Sequence, residues 1–237
     1  MTPRRRPAFW ITVWIAAAVL LAGAVALAML AQSGVLGRGL GKADPGPAAR
    51  GPGETVVAFY GDSYTLGTGA SDPSKRWSTR ISAERGWREV NPSVNGLGFV
   101  NHRDARHDLP GEVIAAHPDI VFVTMGLNDA FSYDRAADEI HQQIGADLTR
   151  LHDALPDARF IVVEPFWYTA VRPPALEQII AWVREGAASI GADYIPGASS
   201  WIQGRDGEMA SDGLHPNDSG YDLMTRKMDA ALTVLGL

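Results

Sequence analysis

The sequence predicts an α/β fold in which helices cover both faces of a central parallel sheet. Short runs of β-branched and aromatic residues alternate with helical patterns along residues 54–237, an order typical of parallel strands joined by helical crossovers. The strongest runs stop at a Gly or a Pro, and no internal repeat suggests another architecture. The chain after residue 53 is long enough to enclose one such core.

Three strands are predicted from uninterrupted apolar runs, which are typical of buried parallel strands. They cover residues 55–60, 119–125 and 159–164. Weaker patterns predict two further strands at residues 88–94 and 192–195. Functional side chains of such folds gather beyond the carboxyl ends of the strands, so the residues that follow each run are the candidates for a site.

Helices are predicted between and after the strands, over residues 78–85, 111–116, 135–154, 175–190 and 219–235. In the longest pattern, apolar residues recur every three or four positions, which predicts one stripe that faces the core. Asp147 falls outside this stripe. We therefore expect Asp147 on the polar side of the helix.

The charge balance argues against a nucleic-acid partner. The 237 residues hold 21 Lys and Arg against 27 Asp and Glu, a formal net charge of -6. Residues 1–53 contain six basic residues and one Asp, which gives +5 and leaves -11 for residues 54–237. Nucleic-acid-binding domains carry a basic patch instead. The absence of Cys excludes disulfides, thiolate metal sites and a Cys nucleophile.

The N-terminus predicts a membrane-spanning signal-anchor over residues 1–32. Three arginines, Arg4 to Arg6, precede 24 uncharged residues at 8–31, enough to cross a hydrocarbon core of about 30 Å. The alternative is a cleaved signal peptide, because Ala26-Leu27-Ala28 fits a cleavage pattern. Residues 33–53 are rich in Gly, Pro and Ala and predict a flexible linker. Both alternatives put residues 54–237 outside the cytoplasm, either tethered to the cell membrane or secreted.

Three polar clusters carry residues suited to acyl transfer, at residues 61–64, 126–129 and 212–217. The first two follow predicted strands, and the third precedes the last helix. Ser63 is a candidate nucleophile with His215 as its base, and Asp212 stands close enough in sequence to orient the imidazole. The Ser63 N–H and the Asn128 side chain are candidate donors to an oxyanion.

These clusters, with a fourth at Asn95-Gly96-Leu97-Gly98, resemble the blocks of the SGNH hydrolases, the GDSL esterase/lipase family. The resemblance implies a flavodoxin-like three-layer α/β/α fold with Ser63, His215 and Asp212 as catalytic residues. It also implies an oxyanion hole formed by the Ser63 N–H, the Gly96 N–H and the Asn128 side chain. Two features depart from the pattern. Tyr64 stands where the family has Leu, and Gly98 competes with Gly96 as donor, with Gly96 preferred.

Further residues near these blocks are candidates for supporting roles. Asp62 and Asp129 are expected to order the surrounding loops through hydrogen bonds. Aromatic residues that could contact substrate are Phe99, Phe131, Trp167 and Trp201. His102 and His107 could be pictured as metal ligands with nearby carboxylates, but Arg103 and Arg106 lie between them and would repel a cation, so we expect a solvated loop without a metal.

The function expected from these residues is hydrolysis of carboxylic esters through an acyl-enzyme intermediate, without a metal or organic cofactor. Short acyl groups are favoured because the short loops leave little room for a lid, and O-acetyl groups on a glycan are the first candidate, followed by lipid esters and thioesters. The alternatives are an O-acyltransferase with the same triad and a non-catalytic, membrane-tethered glycan-binding module.

Overall fold

The computed structural model of the protein describes residue 51 and residues 53–104, 106–203 and 205–237. The predicted signal-anchor and nearly all of the predicted linker lie outside the described residues. Within the described part of the chain, no helix is long and apolar enough to cross a membrane.

A parallel sheet of five strands lies at the centre of the fold. The strands are β1 (Val56–Gly61), β2 (Arg88–Val90), β3 (Ile120–Thr124), β4 (Arg159–Val163) and β5 (Asp193–Ile195). Their order is β2-β1-β3-β4-β5, and every neighbouring pair is parallel. This is the flavodoxin-like order, in which the direction of winding reverses between β1 and β3. The predicted α/β class with a central parallel sheet is confirmed.

The helices are α1 (Ser63–Leu66), α2 (Trp77–Glu84), α3 (Leu109–Ala115), α4 (Tyr133–Ala154), α5 (Pro174–Ser189) and α6 (Asp218–Val234). The five helices predicted from the sequence begin and end within two residues of the observed bounds. Strand β2 is shorter than predicted and ends at Val90. Pro92, which has no N–H to donate to a neighbouring strand, follows shortly after.

The core has two halves, one on each face of the sheet. Val57 and Phe59 of β1 pack with α2 and α6, whereas Ala58 and Tyr60 of the same strand pack with α3, α4 and α5. This alternation follows from the two-residue period of a strand. The three layers place the carboxyl ends of β1 and β3 side by side, at the point where ligands bind in this topology.

Asp147 corrects one expectation about α4, because its side chain is buried rather than solvated. Its carboxylate accepts a hydrogen bond from Tyr60 Oη at 2.6 Å and from Gln143 Nε2 at 2.8 Å. Arg103 donates to both oxygens of this carboxylate, and its hydrogen bond to Oδ1 is 2.9 Å long. The Asp147 position lies beside the apolar stripe, and the Arg103 guanidinium compensates the buried charge.

Replacing Asp147 with Ala is expected to lower the free energy of unfolding by about 3 kcal/mol, because it leaves the Arg103 charge and the Tyr60 hydroxyl without their partner. Chemical denaturation measures this change. Glu139→Ala, at an exposed position of the same helix, is the matched control and should change stability by less than about 0.5 kcal/mol. Equal effects of the two substitutions would contradict a structural role for the ion pair.

Candidate active site

The Ser63 side chain lies just beyond the end of β1, at the first residue of α1. Asp62 caps the helix by accepting the Tyr64 N–H at 2.9 Å, which leaves the Ser63 N–H outside the helical hydrogen bonds. Gly61 permits this turn, because a Cβ there would lie 2.5 Å from Thr124 Oγ1. Ser63 is only 4% exposed, so little of this residue is open to solvent at the carboxyl edge of the sheet.

His215 and Asp212 form a hydrogen-bonded pair on the loop that precedes α6. His215 Nδ1 lies 2.7 Å from Asp212 Oδ2, while Asp212 Oδ1 accepts the backbone N–H of Leu214 at 2.9 Å and of His215 at 3.0 Å. Partial burial raises the pKa of Asp212, but these three partners outweigh it and lower the pKa to about 2. The carboxylate is therefore ionised near neutral pH and can fix the tautomer of the imidazole.

Tyr64 connects the helix of the serine to the loop of the histidine. Its hydroxyl donates to the Leu214 carbonyl at 2.6 Å, and its ring centroid lies 6.0 Å from that of His215. Among the described residues, no hydrogen bond joins Ser63 to His215. Catalytic hydrogen bonds are often long without substrate and tighten in the complex.

Gly96 presents the available N–H of the loop after β2, which we call the donor loop (residues 94–101). Within the described chain, the Gly96 N–H has no hydrogen-bond acceptor, whereas the Gly98 N–H donates to the Asn101 carbonyl at 2.9 Å. Gly96 has a φ of +71°, which only Gly adopts without steric cost. Asn101 Nδ2 holds the Gly96 carbonyl at 2.8 Å. This geometry favours Gly96 over Gly98 as an oxyanion donor.

Gly98 instead allows the donor loop to approach Asp129. A Cβ on Gly98 would lie 2.4 Å from Asp129 Oδ1. The buried Asp129 carboxylate accepts the N–H groups of Phe99, Val100 and Asn101 at 2.8, 2.9 and 3.1 Å. Burial raises the pKa of Asp129, and the three donors oppose this rise. These bonds hold residues 99–101 of the donor loop against Asp129.

Gly98→Ala is expected to lower the free energy of unfolding by about 2 kcal/mol, since the added methyl group overlaps Asp129 and must displace the donor loop. Ester hydrolysis should fall as well, because the same loop carries Gly96. Gly145→Ala on α4, where a Cβ meets nothing within 4 Å, is the control and should not lower stability. Thermal unfolding and kcat of both variants test this, and a Gly98 variant as stable and active as the control would contradict it.

Asn128 and Asp62 meet between the ends of β1 and β3. Asn128 Nδ2 donates to the Leu97 carbonyl at 3.0 Å and to Asp62 Oδ2 at 3.3 Å. Burial raises the pKa of Asp62 to about 7. The hydrogen bond from the Tyr64 N–H opposes this rise, and the charge of Asp129 adds to it. Both amide hydrogens of Asn128 are thus directed at protein acceptors, and the longer bond is the one to Asp62.

The raised pKa of Asp62 predicts a pH dependence of stability. Between about pH 4 and pH 7 the folded protein holds a proton that the unfolded chain, with a carboxyl pKa of 3.8, has released. The contribution of Asp62 to stability therefore falls as the pH rises through this window. From about pH 5 to about pH 8, the free energy of unfolding should drop by about 3 kcal/mol relative to Asp62→Asn. Urea titrations at both pH values measure it, and a difference that does not vary with pH would contradict a protonated Asp62.

Residues 59–223 match the sequence profile of the GDSL-like lipase/acylhydrolase family. The chain belongs to this family. The GDSL lipase Rv0518 of Mycobacterium tuberculosis is a relative with 27% identity over 183 residues, which cover 73% of this chain and 79% of the relative. The resemblance inferred from the sequence blocks is confirmed, and the protein is a serine ester hydrolase of the SGNH type.

Solved structures of esterases share the fold. The psychrotrophic esterase EstA from Pseudoalteromonas sp. matches with a TM-score of 0.64 at 16% identity and covers 77% of this chain and 98% of its own. The acetylxylan esterase Axe2 from Geobacillus stearothermophilus matches with a TM-score of 0.57 at 20% identity, over 75% of this chain and 93% of its own. At these identities the likeness concerns the fold alone.

Two aromatic residues predicted to contact substrate lie in the core instead. Phe99 is fully buried and packs edge-on against Tyr60, with ring centroids 5.9 Å apart. Trp201 is buried against Phe166 at 5.9 Å. Aromatic residues near a sequence block fill the core more often than they line a cleft, and the sequence pattern does not separate the two roles.

The other two aromatic candidates lie together at the carboxyl edge of the sheet. Phe131 is 52% exposed and lies 5.9 Å from the ring of Trp167, which is itself buried. Trp167 Nε1 donates to the carbonyl of Val171 at 3.0 Å, and Val171 is exposed. Phe131 follows Asn128 by one short helical turn, so it offers an apolar ring beside the site.

Residues 102–104 and 106–108 differ in part from the expected solvated loop. The Arg103 side chain is mostly buried and pairs with the buried Asp147. Arg106 and His107 both contact the exposed Asp104. In the described part of the chain, no group of three or more His, Asp or Glu side chains is placed to hold a metal ion.

Proposed function

We propose that the protein hydrolyses short acyl esters outside the cytoplasm, with Ser63 as nucleophile, His215 as general base and Asp212 as the residue that orients His215. The observation that carries this proposal is the 2.7 Å contact between His215 and Asp212 on a loop that Tyr64 ties to the helix of Ser63. A serine needs such a base, itself held by a carboxylate, to attack an acyl carbon.

The reaction begins when Ser63 Oγ attacks the ester carbonyl carbon and transfers its proton to His215 Nε2. The new C–O bond forms as the carbonyl electron pair moves to oxygen, and Asp212 stabilises the imidazolium. The C–O bond to the alcohol then breaks, and His215 returns the proton to the leaving alcohol. Water, activated by the same imidazole, attacks the acyl-enzyme and releases the acid and free Ser63.

The oxyanion is held by the Ser63 and Gly96 N–H groups and by Asn128. The two backbone donors are free of other acceptors in the described chain, which supports this role. Asn128 would exchange its 3.3 Å hydrogen bond to Asp62 for one to the oxyanion. Burial raises the pKa of Asp62 to about 7, so below this pH the carboxyl is mostly neutral and is then the weaker competitor for that amide hydrogen.

The substrate proposed is an O-acetyl or other short acyl ester, with a glycan as the carrier. One structural neighbour, Axe2, is described as an acetylxylan esterase, which supports this class. The location rests on Arg4 to Arg6 and the uncharged run at residues 8–31. The membrane is thus the proposed partner of the N-terminal segment, as an anchor or during export.

The proposal is tested with p-nitrophenyl esters from acetate to longer acyl chains, using the full chain and the variant His215→Ala. We expect hydrolysis that is fastest for acetate and is lost in the variant. His141→Ala on α4 replaces an exposed His away from the site and serves as the matched control. An inactive but folded parent would contradict ester hydrolysis and favour a glycan-binding module.

An O-acyltransferase with the same residues differs only in the group that accepts the acyl chain. Product analysis with a glycan acceptor present separates the two functions. We expect free acetate as the main product, and acetyl transfer to the glycan at the expense of free acetate would favour the transferase.

A further inference from the structure

An open cleft adjoins the donor loop on the side of residues 102–104, 106 and 107. Its volume is about 510 Å³, and its polar lining comes from Asn95, His102, Arg103, Asp104, Arg106 and His107. The size falls in the range of sites for small ligands. The cleft includes both neighbours of Gly96 in the chain, so a group bound there lies next to the proposed oxyanion donor.

His102 is held over Gly96 in an uncommon backbone conformation. Its φ is 54°, in the left-handed region that residues other than Gly rarely adopt. Its Nδ1 lies 3.2 Å from the position that a Cβ on Gly96 would occupy. The imidazole is exposed, and within the described residues it has no hydrogen-bond partner. A strained backbone that presents a free polar side chain to a cleft is typical of functional positions.

The charges around the cleft are compensated. Arg103 pairs with the buried Asp147, and Arg106 pairs with Asp104. An anionic group would have to compete with these carboxylates for the guanidinium groups. Val94 and Leu97 are the two apolar residues of this lining and the other six are polar or charged, so an acyl chain would find few apolar contacts. Among the described residues, the His102 ring makes no hydrogen bond, and Asn95 keeps its Nδ2 free while Thr68 holds its Oδ1.

We propose that this cleft binds the alcohol part of the ester, and that His102 determines specificity for a neutral, polyhydroxylated alcohol such as a sugar. A neutral imidazole offers one hydrogen-bond donor and one acceptor, which matches the hydroxyl groups of a sugar. The assignment rests on the proposed esterase function and names the chemical class of its leaving group.

The test compares two acetate esters of primary alcohols, 6-O-acetyl methyl glucoside and hexyl acetate, in the full-length parent and in His102→Gly. Gly removes the imidazole without strain at a positive φ. We expect the parent to favour the sugar ester. In the variant, the ratio of the two kcat/KM values should fall about tenfold, because one hydrogen bond to the alcohol is lost. The change should come mainly from a higher KM for the sugar ester. His102→Asn, which also tolerates this backbone conformation, should lower the ratio too.

His141→Ala should leave the ratio and both rates unchanged. An unchanged ratio in His102→Gly would overturn this proposal. An equal loss of kcat on both esters would also overturn it, because His102 would then only support the donor loop. A parent that hydrolyses p-nitrophenyl acetate but does not favour the sugar ester would overturn the cleft assignment alone. A parent inactive on every ester would overturn the proposed function and the cleft assignment with it.

Discussion

Ser63→Ala is expected to lower kcat for ester hydrolysis by at least about four orders of magnitude, because no acyl-enzyme can form without the nucleophile. The residual rate would come from the oxyanion donors and from substrate binding alone. Stability should change little, since Ala keeps the first residue of α1 and Asp62 still accepts the Tyr64 N–H. Initial rates of p-nitrophenyl acetate hydrolysis measure the loss. Dilutions of the active parent calibrate the lowest rates that the assay detects.

Ser189→Ala on α5 is the matched control for this substitution. Among the described residues, the Ser189 hydroxyl bonds only to the Gly186 carbonyl of its own helix, so we expect unchanged activity. A Ser63→Ala variant that keeps more than about one per cent of the parent rate would show that another residue attacks the substrate.

Asp212→Asn is expected to lower kcat by about three orders of magnitude. The new side chain can still accept the N–H groups of Leu214 and His215 through its oxygen, so the loop should keep its shape. Its NH₂ group would then face His215 Nδ1, where the carboxylate now lies at 2.7 Å. Nδ1 would then accept a hydrogen bond from this NH₂ group, and Nε2 would carry the proton toward Ser63. This is the wrong tautomer for a base.

The loss should not recover between about pH 6 and pH 9, because the pKa of Asp212 lies near 2 in the parent and its charge is constant over that range. Asp206→Asn, at an exposed position of the same segment, is the control and should be fully active. Full pH-rate profiles test the claim. A loss below about fivefold would mean that Asp212 does not orient the base.

The sequence was sufficient to predict the sheet and the helices that position the site. Buried parallel strands produce uninterrupted apolar runs, and a long helix against a sheet repeats its apolar residues every three or four positions. The run that forms β1 is buried at every residue. The weak pattern at residues 88–94 corresponds to a strand of only three residues, because an edge strand has fewer buried positions and thus a weaker signal.

The sequence could not predict contacts between segments far apart in the chain. Asp147 looked solvated because its partners Tyr60 and Arg103 lie 87 and 44 residues away. Phe99 looked like part of a cleft because it follows the donor glycines, yet its ring faces the core. Helical and strand periodicity carries no information on such pairings.

In the candidate site, too, the sequence predicts some features and misses others. The blocks that contain Ser63, Asp212 and His215 follow from chemistry and local spacing, since Asp212 and His215 are three residues apart. The choice between Gly96 and Gly98 required the structure, because it depends on which N–H already has an acceptor. The link from Tyr64 to the histidine loop spans 150 residues and had no sequence signal.

The most direct test of the central claim, that His215 activates Ser63 as a nucleophile, is covalent labelling of the full chain with a fluorophosphonate, followed by intact-mass and peptide mass spectrometry. We expect one adduct per chain on Ser63, formed far more slowly in His215→Ala and at the parent rate in His141→Ala. An adduct on another residue, or no adduct in a preparation that hydrolyses esters, would contradict the account.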